Sequence, residues 1–147
     1  MKRREALLSI ALAPIAWTSR GARADEADFE KAIRTFLAGS KPIESRIALK
    51  IEPLIDNGNS VPVTVLVDHA MTQDKFIREI ALFNEKNPQS DIAVFHLTPM
   101  NGRAEVSTRI RLAGTQRVAA IARASDGQCY MKTLEVIVTT AACVEMD

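Results

Sequence analysis

The chain has 147 residues, of which 19 are basic and 18 acidic, and its apolar fraction is 47%. This length supports one domain of ordinary size. A charged fraction of 25% beside so much apolar sequence is typical of a globular protein and excludes an intrinsically disordered chain.

The first 24 residues have the pattern of a removable export signal. A basic start at residues 1–4 precedes an apolar run at residues 6–17, and a small-x-small cleavage signal follows at residues 21–24. The run is too short to span a bilayer as a helix, which needs roughly 20 residues. We therefore expect cleavage after Ala24, which leaves Asp25 as the first residue.

The paired Arg3 and Arg4 favour the twin-arginine route, which exports folded proteins. A general secretory leader that contains two arginines is the alternative, because Ala6 stands where an aromatic residue is usual. Either route predicts a location outside the cytoplasm, in a bacterial periplasm. Cleavage removes five basic residues and one acidic residue, and the remaining 14 basic and 17 acidic residues give a net charge of −3. Such a surface argues against a nucleic-acid partner.

Residues 25–42 are predicted to form an amphipathic helix and a linker. Apolar side chains recur at near-helical spacing from Ala27 to Leu37. Acidic residues crowd the first turn, where they suit the helix dipole. Gly39 follows as a stop signal, and residues 39–42 complete the linker.

From residue 43 the apolar period becomes two, which is typical of half-buried strands. We predict about seven strands within residues 43–140, separated by turns rich in Gly, Pro, Asn and Asp. They are centred on residues 46–52, 61–67, 77–83, 92–97, 106–112, 117–123 and 129–140. Pro53 and residues 56–60 are interpreted as a turn. The series predicts an all-β, immunoglobulin-like β-sandwich by strand count, because the Cys…Trp…Cys hallmark of antibody domains is missing.

The carboxyl-terminal segment, residues 141–147, carries one thiol, Cys143. Because chain ends are seldom packed, we interpret this segment as a short arm that offers the thiol to a partner, with an incidental terminal thiol as the alternative. Cys129 lies 14 residues earlier, at the opposite end of one predicted strand. Fourteen extended residues span roughly 45 Å. An internal disulfide, which holds its Cα atoms about 5.5–6 Å apart, would therefore require the tail to fold back.

No enzyme or metal site is indicated by the remaining motifs. Cys143 has no histidine near it in sequence to act as a base, and the negative charges of Glu145 and Asp147 disfavour its thiolate. His69 and His96 lack converging ligands, so no metal is predicted, and His96 is interpreted as a structural histidine inside an apolar strand. No glycine-rich phosphate loop or dinucleotide motif predicts a cofactor.

Arg109 and Arg111 alternate along one predicted strand, so both fall on the same face. One interpretation is an exposed cross-strand charge ladder. The other is an anion-attracting patch beside the carboxyl-terminal arm.

Several stretches are familiar when they are taken together and in order. They are residues 53–65 (PLIDNGNSVPVTV), 85–88 (EKNP), 92–95 (IAVF), 107–112 (STRIRL) and the pair 126–127 (DG) before the last strand. Over roughly residues 30–143 this series resembles SoxY, the sulfur-carrier subunit of the bacterial thiosulfate-oxidising Sox system. The twin-arginine leader is similar to the export signal of that family.

The resemblance implies an immunoglobulin-like sandwich that forms a heterodimer with a second small sandwich, SoxZ. It also implies a carrier that is not itself an enzyme. In the family a carboxyl-terminal cysteine, here Cys143, holds sulfur intermediates covalently while cytochrome, hydrolase and dehydrogenase partners act on them.

The sequence departs from the family at the arm itself. The family cysteine lies in a Gly-Gly-Cys-Gly-Gly terminus, whereas Ala141 and Ala142 precede Cys143 here and residues 144–147 (VEMD) follow it. Glycines make an arm slim and give it access to positive φ, so this tip is bulkier and less adaptable. Two functions follow: a periplasmic sulfur-compound carrier in thiosulfate oxidation, or a divergent binding module that keeps the sandwich and its partner but has lost carrier competence.

Overall fold

The computed structural model describes residues 26–142, which contain one α-helix followed by eight β-strands in two sheets. The predicted export signal and Cys143 lie outside the described residues. The elements in chain order are α1 (Glu26–Leu37), β1 (Ile47–Lys50), β2 (Leu54–Asn57), β3 (Val61–Val67), β4 (Ile77–Asn84), β5 (Asp91–His96), β6 (Ala104–Ile110), β7 (Gln116–Ala124) and β8 (Cys129–Thr140), with a short 3₁₀ helix at Pro99–Asn101.

The two sheets pack face to face and confirm the predicted all-β sandwich. One sheet has the order β1-β3-β6, and the other has the order β2-β8-β7-β4-β5. The alternating valines of β3 show why the pattern predicts a half-buried strand, since Val61, Val63, Val65 and Val67 are all buried while Pro62 between them is exposed. The main core therefore lies between the sheets.

Strand β2 was not predicted, because the segment around Pro53 and Asn57-Gly58 has the composition of a turn. The structure shows four residues there that pair in parallel with β8, with Leu54 beside Ile137 and Asn57 beside Thr140. This pairing starts where the Ile137 amide donates to the Pro53 carbonyl at 2.8 Å. A long-range partner thus stabilises a strand that is too short to show a period, and the sandwich has eight strands instead of about seven.

Helix α1 covers the outer face of the larger sheet. Its buried residues Phe29 and Ile33 are one turn apart and pack on a second apolar cluster with Ala119 and Ile121 of β7. Full burial of each such large side chain stabilises a fold by about 1.5–3 kcal/mol. Strand β7 is consequently buried on both faces, and the small Ala119 lies on the face that the helix covers.

Two arginines of β7 attach α1 to this sheet. The Arg117 guanidinium lies 5.1 Å from the centre of the Phe29 ring, and the Arg123 guanidinium lies 4.4 Å from the centre of the Phe36 ring. Arg123 also donates to the Phe36 carbonyl and to Glu79 Oε2, the latter at 2.8 Å. Each arginine therefore combines an aromatic contact with the helix and a charged partner.

Arg117 is the centre of an acidic cluster. Its guanidinium contacts Glu26 at 2.9 Å, Glu30 at 3.7 Å and Glu85 at 3.1 Å. Burial alone would raise the pKa of Glu85, but the hydrogen bonds and positive charge of Arg117 outweigh it, and the pKa lies below its ordinary value. The hydrogen bond to Glu85 raises the pKa of Arg117 in turn. The cluster fixes the start of α1 against the sheet.

Candidate functional site

The described chain ends at Ala142, the residue immediately before the predicted carrier cysteine. Cys143 itself lies outside the described residues, so the site is defined by the structure that leads up to it. We call the four residues Gly58, Leu112, Thr140 and Ala142 the arm root, because their backbones bond to one another where the predicted arm, residues 141–147, begins.

The arm root is a run of three backbone hydrogen bonds. The Gly58 amide donates to the Thr140 carbonyl at 2.8 Å, and the Leu112 amide donates to the Gly58 carbonyl at 2.9 Å. The Ala142 amide then donates to the Leu112 carbonyl at 3.0 Å. Ala142 is only 6% exposed. The last described residue is therefore held to the sandwich although it lies beyond the end of β8.

Gly58 fits this place because it has no side chain. A Cβ atom there would lie 2.3 Å from the Leu112 carbonyl oxygen, 2.9 Å from the Ala142 amide nitrogen and 3.1 Å from Val138 Cγ1. Two of these neighbours are backbone atoms that take part in the arm root. Sequence reasoning assigned Gly58 to a turn and missed this role, which depends on the close approach of two distant segments.

A side-chain amide holds the opposite side of the segment that contains Leu112. Asn87 Nδ2 donates to the Arg111 carbonyl at 2.8 Å, and Asn87 Oδ1 accepts from the Ala113 amide at 3.0 Å. Gln116, which is 2% exposed, donates to the same Oδ1 at 3.0 Å. Asn87 therefore bonds to the residues on both sides of Leu112, as a neighbouring strand would.

Arg109 and Arg111 lie at the same end of the sandwich as the arm root. Both are exposed and flank the buried Ile110. Arg109 Nη1 donates to Ser60 Oγ at 3.2 Å, and Ser60 follows Gly58 by two residues. Arg111 immediately precedes Leu112. The structure thus places Arg111 next to the residue that bonds to Ala142, and Arg109 two residues earlier in the same segment.

Cys129 lies at the other end of β8 from the arm root. It is a free thiol, fully buried in the cluster between α1 and the larger sheet, with Sγ 3.8 Å from the Gly127 carbonyl oxygen. A thiol in this position contributes to packing and cannot meet a partner while α1 is in place.

The histidines do not form part of the site. His96 is the last residue of strand β5, as predicted, but its side chain is 73% exposed with Nδ1 3.6 Å from Glu79 Oε1, so the structural role assigned to it is wrong. Strand β5 is at the edge of the larger sheet within the described residues, and a local apolar pattern does not show that position. His69 lies near Tyr130, with ring centres 6.0 Å apart.

Residues 26–142 contain no group of three or more His, Cys, Asp or Glu side chains that could hold a metal ion. In the same part of the chain, no helix combines the length and the apolar character that crossing a membrane requires.

The family model described as sulfur oxidation protein SoxY matches residues 33–143. The solved sulfur carrier protein SoxY from Chlorobium limicola f thiosulfatophilum is 30% identical with a TM-score of 0.61, and the match covers 77% of this chain and 97% of that one.

More distant structures share the fold alone. A superoxide reductase (neelaredoxin) from Ignicoccus hospitalis is 15% identical with a TM-score of 0.57, covering 63% of this chain and 79% of that one. A superoxide reductase from Nanoarchaeum equitans is 15% identical with a TM-score of 0.53, covering 63% and 93%. No curated protein sequence gives a significant match.

Proposed function

The chain belongs to the SoxY family of sulfur oxidation proteins, and we propose that it carries its sulfur cargo covalently on Cys143. Similarity to a solved sulfur carrier supports a carrier in sulfur oxidation over an enzyme in its own right. The superoxide reductases do not compete with this proposal, because identities of about 15% indicate only a common fold.

The observation that supports Cys143 most directly is the arm root. A covalent carrier needs an attachment point that is fixed to the body of the protein while the reactive group remains open to other proteins. Ala142 is bonded to Leu112 and buried one residue before the thiol. Cys129, by contrast, is buried beneath α1 and is unsuited to exchange with partners.

The carrier step is an oxidation that joins two sulfur atoms. The Cys143 thiolate and the outer sulfur of thiosulfate form an S–S bond, and two electrons leave to a haem electron acceptor, the cytochrome partner. The product is a cysteine thiosulfonate with an oxyanion at its far end. Hydrolysis by a partner enzyme then releases sulfate and two protons and leaves a persulfide on the cysteine, for a dehydrogenase to oxidise further.

The proposed setting is the periplasm, reached by the twin-arginine route, with a SoxZ-like subunit as heterodimer partner. These proposals rest on the leader sequence and on family membership. A folded, partner-bound carrier suits that route, because it exports proteins that have already folded.

A second candidate function is a binding module that has lost carrier competence, favoured by the loss of glycines at 141 and 142. The arm root weakens that alternative. The Ala142 position accommodates its methyl group while the amide keeps its hydrogen bond, so alanine at 142 is compatible with an anchored arm. The thiol itself is retained.

Intact-mass measurement on protein from the native periplasm during growth on thiosulfate tests the proposal. We expect a thiosulfonate or persulfide adduct that disappears in Cys143→Ser and persists in the matched control Cys129→Ser. An unmodified Cys143 thiol under these conditions would support the binding module instead.

A further inference from the structure

We infer that Arg109 and Arg111 form an anion subsite that receives the oxyanion end of a cargo bound to Cys143. This inference rests on the proposed carrier function and names the part of the cargo that the sandwich itself recognises. The ligand class is a sulfonate or sulfate group at the end of a cysteine-linked sulfur chain.

The two side chains share one outer face. Arg109 lies in β6 and Arg111 follows the last residue of that strand; both are exposed, whereas Ile110 and Leu112 are buried, so the alternation of the strand continues through Arg111. Ile110 pairs with Val61, which places Ser60 beside Arg111. The 3.2 Å bond from Arg109 to Ser60 therefore directs the Arg109 guanidinium toward Arg111 and the arm root, instead of along β6 away from it.

The subsite lies close to Ala142, the residue that precedes the thiol in sequence. The Leu112 carbonyl bonds to the Ala142 amide at 3.0 Å, and Arg111 is the residue before Leu112. Covalent distances then put the Arg111 Cα within about 9 Å of the Ala142 nitrogen. An extended arginine spans most of that distance, and a cysteine thiosulfonate projects several ångströms from residue 143.

The charge of these arginines is available to a ligand. Within residues 26–142, no carboxylate oxygen lies within 4.0 Å of either guanidinium. Such carboxylates do lie beside four other arginines, namely Arg78, Arg103, Arg117 and Arg123. Guanidinium groups suit oxyanions in particular, because their planar N–H groups can bind two oxygen atoms at once. A charge ladder would use cross-strand carboxylates, but the side chain opposite Arg109 is Pro62.

The test compares how fast Cys143 of the mature chain reacts with two disulfide reagents. One is the dianionic 5,5′-dithiobis(2-nitrobenzoate), and the other is the neutral 2,2′-dipyridyl disulfide. A change in the amount of thiolate affects both rates equally, so the ratio of the rates reports attraction of the anion. At about 10 Å separation, loss of two charges lowers the ratio roughly fivefold to tenfold at 10 mM salt and about twofold at 0.15 M.

The variants are Arg109→Gln, Arg111→Gln and the double substitution, with Arg103→Gln at the far end of β6 as matched control. We expect the ratio to fall in the double variant at low salt and to stay unchanged in Arg103→Gln. Substitution of both arginines by lysine should preserve most of the ratio, because the two positive charges remain. This variant therefore distinguishes the loss of charge from altered folding. An unchanged ratio in the double variant, or an equal fall in Arg103→Gln, overturns the subsite.

This result is independent of the carrier function. The reagents attack the thiol whether or not it ever holds sulfur, so a lowered ratio together with an unmodified native thiol would retain the subsite and reject the carrier. An unchanged ratio together with a thiosulfonate adduct on the native protein would reject the subsite and retain the carrier.

Discussion

Replacement of Gly58 by alanine should release the carboxyl-terminal arm from the sandwich. The added methyl group would lie 2.3 Å from the Leu112 carbonyl oxygen and 2.9 Å from the Ala142 nitrogen, both of which are backbone atoms. Neither can rotate away as a side chain could. The hydrogen bond between these two atoms, 3.0 Å long, is the contact that the chain gives up most easily, because Ala142 lies beyond the end of β8 and is outside the strand ladder.

Two contributions determine how far Gly58→Ala lowers the free energy of unfolding. Overpacking in a tight site costs about 1–3 kcal/mol, and each backbone hydrogen bond that is lost contributes about 0.5–1.5 kcal/mol. Loss of the bond from Ala142 to Leu112, with partial strain at the bond from Leu112 to Gly58, gives a decrease of about 2–4 kcal/mol in the free energy of unfolding. Urea-induced unfolding measures that decrease, and amide hydrogen exchange at Ala142 locates it.

The matched control is Gly127→Ala. Gly127 has φ of +90° and no atom within 4 Å of the place that a Cβ would take, so alanine there introduces backbone strain without a clash. We expect Gly127→Ala to lose some stability while the Ala142 amide keeps its protection from exchange. If Gly58→Ala leaves both the unfolding free energy and the Ala142 amide unchanged, the arm root does not hold the arm.

Three further predictions concern the supports of the site. Asn87→Asp removes the amide that donates to a backbone carbonyl beside Leu112 and puts a negative charge there, so exchange at Ala142 should accelerate at least severalfold. The pKa of Glu85 is lowered in the folded protein, so its carboxylate stabilises the fold above the unfolded-state pKa, and this stabilisation is lost as the pH falls through the folded-state pKa. Glu85→Gln should therefore make the free energy of unfolding depend less on pH in the acid range. Cys129 should resist alkylation in the native protein and react only after unfolding, whereas Cys143 should react at once.

Each of these predictions has a control. Asn101→Asp adds the same charge at an exposed position before β6, away from the arm root, and keeps the oxygen that accepts from the Thr98 amide. It should leave the exchange of Ala142 within twofold of its original rate. Glu105→Gln, at an exposed position of β6, should leave the acid limb unchanged. Alkylation followed by peptide mapping distinguishes the two thiols, and native labelling of Cys129 at the rate of an exposed thiol would contradict its burial beneath α1.

The elements with a clear period could be predicted from the sequence. The valines of β3 repeat every second residue, and Phe29 and Ile33 recur one helical turn apart. The local sequence of each segment is therefore enough to predict its secondary structure. The local sequence of strand β2 shows no such period, because its four residues form a strand only by pairing with β8, more than 80 residues away in sequence. The exposure of His96 depends likewise on the position of β5 at a sheet edge, which no local pattern records.

The residues of the candidate site also differ in whether the local sequence points to them. Cys143 stays a prediction, made from its place near a chain end and from the family resemblance. Gly58 and Asn87 could not be predicted, since both sit in segments with ordinary turn composition. Their roles arise only where residues 58, 87, 112 and 142 meet in space, and such long-range meetings leave no periodic trace in the sequence.

The arm root shows how alanines, in place of glycines, fit the chain before Cys143. A Gly-Gly segment would let the chain pivot before it reaches the thiol, because glycine has the widest range of backbone angles. Here the backbone is held as far as Ala142, whose buried position gives its methyl group a place against the sandwich. Under the carrier function proposed above, we expect a partner enzyme to approach the end of the sandwich that carries Gly58, Ser60 and the two arginines. We also expect such a partner to recognise that end of the sandwich as well as the tip of the arm.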